Sequence, residues 1–225
     1  MAPRSRQMAL RIPSWGGART GAGRPRREGP RDSVPHRARP EHNPRHPVHL
    51  TLRARTAAPS FRTRRAFAAL TTAMAAASNA TFRIVHFSIQ TDHLHAIVEA
   101  DDARALSLGV AGFRIRCARA INRAFHRAGP VWSGKYHARA LRTPGETRTA
   151  IVYVLLNWKK HVRGAYGVDE YSSGPWFAGW IHPAQRPATP NPAASPLTWL
   201  AARGWRERGG GPIAPDERPA FSPSR

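Results

Sequence analysis

His93 and His95 stand two apart in the run Thr91-Asp92-His93-Leu94-His95-Ala96-Ile97-Val98. Side chains of a β-strand alternate between its two faces, so this spacing turns both imidazoles to one side. Two neutral imidazole nitrogens make a two-point grip for a divalent cation, and an amide oxygen completes a ligand set with open positions. Tyr153, Asn157, Lys160 and His161 fall at spacings of four, seven and eight on a helical pattern, so they project together. A cation held by His93, His95 and Asn157 would draw charge from a phosphodiester. The Tyr153 phenol would then attack phosphorus in line, giving a phosphotyrosine and a free 3′-OH. Tyr136 is the rival nucleophile, although its basic surroundings suit base stacking or packing. Taken singly, each residue has an ordinary structural role; their order along the chain is what joins them.

The elements that must position these groups follow from pattern and punctuation. Residues 47–54 alternate apolar and polar and read as a first strand. After Pro59, Ser60 is placed to cap a first helix on Phe67, Leu70, Met74 and Ala77, ending near Ser78-Asn79. Residues 82–90 and 93–99 read as an antiparallel hairpin. Asp101-Asp102 opens a second helix whose inner face is Leu106, Phe113, Cys117, Ala120, Ile121 and Ala124. Gly129-Pro130 ends it, and residues 131–141 lead into a fourth strand. Thr143-Pro144-Gly145-Glu146 is a capping box with proline at the first helical position. The third helix it opens should bury Ile151, Val154, Leu155, Trp158 and Val162, and nothing in the sequence stops it before Lys159-Lys160-His161. The expected fold is therefore α+β, a ferredoxin-like plait (antiparallel sheet with helices packed on it) with an added C-terminal tyrosine-bearing helix. For the two functional halves to meet, the histidine strand must lie in the middle of the sheet with the third helix across it.

The chain has 225 residues with 36 Lys and Arg against 13 Asp and Glu, a formal net charge of +23. Such a surplus favours a polyanionic partner, nucleic acid first, although high-GC coding also enriches arginine. Arg116, Arg119, Arg123 and Arg127 form a basic stripe on the second helix with no carboxylate between them, either a solvated surface or a phosphate-facing one. Lys135, Arg139 and Lys160 are further candidate DNA contacts; His137 and His161 are phosphate contacts or bystanders. The lone Cys117 excludes an internal disulfide and reads as a buried small hydrophobe in a reducing compartment. There is no apolar run of membrane-spanning length and no secretory h-region, so a cytoplasmic, nucleoid-associated protein is expected. Four regions result: a basic disordered tail over 1–46, a catalytic domain over 47–166, an aromatic clasp segment over 167–182 built on Trp176, Phe177 and Trp180, and a Pro-rich flexible tail over 183–225.

His93-Leu94-His95 in a strand, the basic second helix, the run Trp132-Ser133-Gly134-Lys135-Tyr136-His137-Ala138-Arg139, and Tyr153-Val154-Leu155-Leu156-Asn157 in a late helix together resemble the single-tyrosine HUH transposases, closest to the REP-associated tyrosine transposase-like group. The likeness runs from about His46 to Gly164. It implies cleavage and rejoining of single-stranded or hairpin DNA through a 5′-phosphotyrosine on Tyr153. It also implies Mg²⁺ or Mn²⁺ on His93, His95 and Asn157, the last directly or through water, with a monomer or a homodimer as the acting form. Gln90-Thr91-Asp92 replaces the family's frequent Met-Pro-Asn, and Asn157-Trp158 its Asn-Pro. A non-catalytic DNA- or RNA-binding module, or a domesticated hairpin-binding regulator, is the competing expectation on the same fold.

Overall fold

The computed structural model describes residues 41–160, 166–182 and 186–219. The expectations placed on residues 1–40, on His161, Val162 and Gly164, and on 220–225 lie outside them. The order is β1 (Val48–Arg53), α1 (Arg64–Ala75), β2 (Phe82–Ile89), β3 (His93–Ala100), α2 (Ala103–Ala124), β4 (His137–Ala140) and α3 (Pro144–Leu156). All neighbouring strands are antiparallel, in the spatial order β2-β3-β1-β4. This is the expected α+β plait, with β3 inside the sheet.

Period-two alternation divides the protein into layers. Val48, Leu50 and Leu52 of β1 with Leu94, Ala96 and Val98 of β3 belong to the core formed with α1 and α2. The alternate residues face α3, whose own core includes Ile97, Leu141, Ile151 and Leu155. In β2 a bulge between Ile84 and His86 lets Val85 join the α3 side while Ile84 and Phe87 stay on the other.

Three helix boundaries differ from expectation, each for a local reason. Phe61 is fully buried and its N–H bonds to the Thr91 carbonyl, so residues 59–62 are held against the β2–β3 turn. Thr63, not Ser60, therefore caps α1, its hydroxyl accepting from the Ala66 N–H. At the other end Asn79 Oδ1 accepts from the N–H groups of Thr81 and Phe82, and this turn starts β2. The helix α2 closes before Gly129, in a Schellman arrangement: the N–H of His126 bonds to Arg123 O and that of Arg127 to Asn122 O, with His126 at φ 48° where glycine is usual. Arg127 thus belongs to the cap rather than the stripe. Thr143 caps α3 as expected, but the reciprocal bond from Glu146 reaches the Arg142 N–H.

The third helix is not amphipathic. Every side chain from Ala150 to Leu156 is buried, because the sheet covers one side and Trp180, Trp205 and Ile213 cover the other. Nor does it continue as an α-helix: Asn157–Lys160 tightens into a 3₁₀ turn.

The segment expected as a flexible tail is packed over residues 186–219. Ala193, Leu200, Ala201, Trp205 and Ile213 are buried. A π-form turn, Leu200–Gly204, runs into α4 (Trp205–Glu207). Its anchor is Glu99, fully buried on β3, whose carboxylate accepts from the N–H groups of Leu197 and Thr198, from the Thr198 hydroxyl and from Arg83. The sequence showed the prolines but not this acceptor, ninety-eight residues away. Upstream, Phe177 packs on Trp180 and Trp205 at ring separations of 5.1 and 5.4 Å. Residues 171–173 bond to the outer edge of β2 and so cover it. Arg62 locks that cover with a paired contact to buried Asp169 at 2.8 and 2.9 Å.

Candidate metal and nucleophile site

Strand register assembles the site. His93 and His95 on β3 pair with Arg53 and Thr51 on β1, and Thr51 pairs with His137 on β4. The face opposite α1 and α2 thus carries His93 and His95, then His49 and Thr51, then His137 and Arg139. The helix α3 crosses this face and brings Tyr153 to it. The Tyr153 ring stands edge-on to His95 at 5.0 Å and to His49 at 5.6 Å, and the ring of His93 lies 4.9 Å from that of His95. Lys160 Nζ lies over the Tyr153 ring at 4.8 Å. Tyr153 is only 5% exposed, and burial raises its phenol pKa, so the group is protonated at neutral pH. Burial also lowers the pKa of Lys160.

The histidines are oriented from behind. Asp92 Oδ1 lies 2.7 Å from His93 Nδ1, and that hydrogen bond is the main reason the Asp92 pKa is lowered. Thr51 Oγ1 lies 3.1 Å from His95 Nδ1, and His49 Nε2 is 3.3 Å from the same atom. Partners at Nδ1 fix ring orientation and leave Nε2 as the nitrogen that would meet a cation. Burial, with help from Arg139, lowers the His49 pKa to about 4, so this neighbour is neutral.

Asn157 follows one turn after Tyr153, 1% exposed, with neither amide atom hydrogen-bonded among the described residues. Leaving a buried amide unsatisfied costs about 1–3 kcal/mol, which a ligand contact would offset. Among the described residues no three His, Cys, Asp or Glu side chains converge for a metal, so a cation here needs a different third donor, and an amide oxygen suits a hard divalent ion. The donor set fits the expected group.

The remaining candidates divide between the layers. Arg139 shares the site face but pairs with Glu146 at 3.0 Å, and Lys135 is exposed in the loop before β4. Arg116, Arg119 and Arg123 are exposed on α2, on the opposite side of the sheet from α3; Arg127 is half-buried. Tyr136 packs against the α1–α2 core with Arg114 over its ring at 5.8 Å, away from α3. The site residues not singled out from sequence are His49, Thr51, Ser88 and Gln90. Ser88 pairs with His95, and buried Gln90 donates to Ser88 Oγ at 2.7 Å. Alternation in β1 already set His49 and Thr51 on one face; what the sequence lacked was that β1 is the neighbour of β3.

The sequence model described as "Transposase IS200 like" matches residues 44–154. That stretch of the chain belongs to the IS200-like transposase family. It contains β1 through most of α3, including His93, His95 and Tyr153, and stops short of Asn157. Among solved structures, the chain is similar to a REP-associated tyrosine transposase bound to a REP hairpin, at 16% identity and a TM-score of 0.51, over 62% of this chain and 82% of that one. At that identity the likeness is one of fold. Comparison with curated proteins returns no match. Among the described residues no helix is long and apolar enough to cross a membrane.

Proposed function

We propose that this IS200-like transposase chain cleaves and rejoins single-stranded or hairpin DNA, with Tyr153 as nucleophile. The observation that carries the reading is the packing of the Tyr153 ring against His95 at 5.0 Å, which joins the two halves expected from sequence on one face. The Tyr153 oxygen forms a bond to phosphorus as the bond to the 3′ oxygen breaks. The phenol loses its proton, the departing oxygen gains one, and the 5′ phosphate stays on the tyrosine. Attack by a 3′-OH on that phosphotyrosine reverses the step and rejoins a strand. His93, His95 and Asn157 are the residues that would hold Mg²⁺ or Mn²⁺, which when bound supplies Lewis-acid polarisation of the phosphodiester. Asp92 and Thr51 hold the imidazoles in orientation, and Lys160 beside Tyr153 favours the phenolate. Arg139 on the site face, exposed Lys135 in the loop before β4, and the α2 stripe Arg116, Arg119 and Arg123 on the far layer supply phosphate affinity. The DNA-bound state of the structurally similar transposase supports the choice of partner.

The test is incubation of end-labelled single-stranded hairpin DNA with the protein and Mn²⁺, read on a denaturing gel. Wild type yields a shortened strand and a protein-linked one, and Tyr153→Phe yields neither. DNA binding without cleavage under any divalent ion would replace this reading by the non-catalytic binding module, which the burial of Tyr153 would then explain.

A further inference from the structure

A second, separate feature lies at the other end of α3. Residues Pro44, Arg45 and His46, leading into β1, face Leu197–Leu200 across a groove of about 620 Å³, with Arg83, Arg142 and Pro144 lining the remainder. That volume falls in the range of about 300–1,000 Å³ that accommodates a small planar group with its substituents. Trp199, 43% exposed, and Leu197, 68% exposed, put a large apolar surface into it.

The ring of Trp199 is supported from behind. Gly204, at the end of the π-form turn, packs directly against it, and a Cβ at that position would lie 2.7 Å from ring carbons. Arg208 Cζ lies over the ring, 5.7 Å from its centroid, and adds a cation to the same site. Only glycine permits this close approach, and π-form turns recur at functional sites. The groove's charge is of one sign. Arg45 and Arg142 are exposed, and neither guanidinium has a hydrogen-bond or ion-pair partner among the described residues. Among the described residues no carboxylate lines the groove: Glu99 behind it is fully buried and satisfied by Leu197, Thr198 and Arg83.

We propose that this groove binds an unpaired nucleotide, its base stacked on Trp199 and its flanking phosphates on Arg45 and Arg142. A supported aromatic face beside unneutralised arginines is the chemistry by which single-stranded nucleic acid is held without reading its sequence. The same positive charge disfavours a basic peptide. Pro144 opens α3 and Tyr153 is nine residues on, about 14 Å along the axis at 1.5 Å per residue. The groove therefore serves DNA that continues past the scissile position rather than the reacting phosphate. This inference rests on the binding half of the proposed function and not on its chemistry.

The test uses the full chain in EDTA, so no cleavage step contributes. Affinity is measured by fluorescence anisotropy for a labelled ten-nucleotide oligothymidylate and for a blunt duplex. Trp199→Leu, which keeps apolar bulk without a π face, weakens oligothymidylate binding on the order of tenfold, while Trp199→Phe stays close to wild type. Duplex affinity is unchanged in both. Arg142→Gln weakens oligothymidylate binding and lowers its salt dependence by about one ion. Should Trp199→Leu melt early, photo-crosslinking of wild type to an oligonucleotide containing 5-iodouracil decides instead, with the label expected on the peptide bearing Trp199. Unchanged oligothymidylate affinity in Trp199→Leu, an equal loss for duplex and single strand, or crosslinks confined to other peptides would overturn the proposal. A selective Trp199→Leu effect with no covalent adduct at Tyr153 would leave the groove standing and remove only the catalytic reading.

Discussion

Replacing Glu99 by glutamine removes the charge from a fully buried carboxylate that three chain segments share. It meets Arg83 Nε at 3.3 Å, the N–H groups of Leu197 and Thr198 at 2.8 and 2.9 Å, and the Thr198 hydroxyl at 2.7 Å. All four partners are donors, so the glutamine amide must turn its N–H₂ toward other donors, and among the described residues Arg83 keeps only exposed Asp101, at 3.3 Å, and the Ala80 carbonyl. Breaking a buried pair by removing one member costs about 3–5 kcal/mol. At about 2–4 °C per kcal/mol for a protein of this size, the melting temperature falls by roughly 10 °C. Because residues 197–200 lose their anchor, trypsin should also cut Glu99→Gln faster at exposed Arg203, Arg206 and Arg208. A loss below about 1 kcal/mol, the scale of an exposed ion pair, with unchanged proteolysis, would refute the view that Glu99 fastens the C-terminal segment to the sheet.

Two further outcomes follow from buried polar groups. Asn157→Leu removes an unsatisfied buried amide, so the apo protein should gain about 1 kcal/mol of stability, while Mn²⁺, expected to raise the melting temperature of the wild type, should leave the variant's unchanged; a variant still stabilised by Mn²⁺ would exclude Asn157 as a ligand. His86 is buried against Phe177, and desolvation lowers its pKa to about 4. Its unfolded state therefore binds more protons between about pH 6.5 and 4, and stability falls as pH drops through that window by up to about 3 kcal/mol. Denaturant titrations at pH 7 and pH 4.5 should show a smaller acid loss in His86→Leu; an equal loss would mean the ring is already accessible to solvent.

How much could be read from sequence depended on the range of the interactions. Alternation placed His93 and His95 on one face, and the Thr143 capping box set the start of α3 and with it the phase of Tyr153, because both signals are local. The start of α1 differs from expectation through competition between nearby turns: Thr63 is a better cap than Ser60 only because buried Phe61 holds the preceding residues off the helix axis. Non-local contacts were out of reach. The proline spacing of residues 186–219 reads as a loose tail until Glu99 and the Trp180–Trp205 cluster are known, and α3 reads as amphipathic until both of its covering layers are. His49 was visible as a strand residue, but its approach to His95 depends on strand order, which no short motif records. The arginines of α2 kept their periodicity yet fell on the layer opposite Tyr153, since helical spacing fixes a face and not the side of the sheet it covers.

The central claim is that Tyr153 joins to DNA. Reaction of the wild-type chain with hairpin-containing single-stranded DNA and Mn²⁺, followed by nuclease and protease digestion and mass spectrometry of the peptides, reads that bond directly. The account predicts a nucleotide joined through its 5′ phosphate to Tyr153. An adduct on Tyr136, or DNA cleavage with no phosphotyrosine on any peptide, would contradict it.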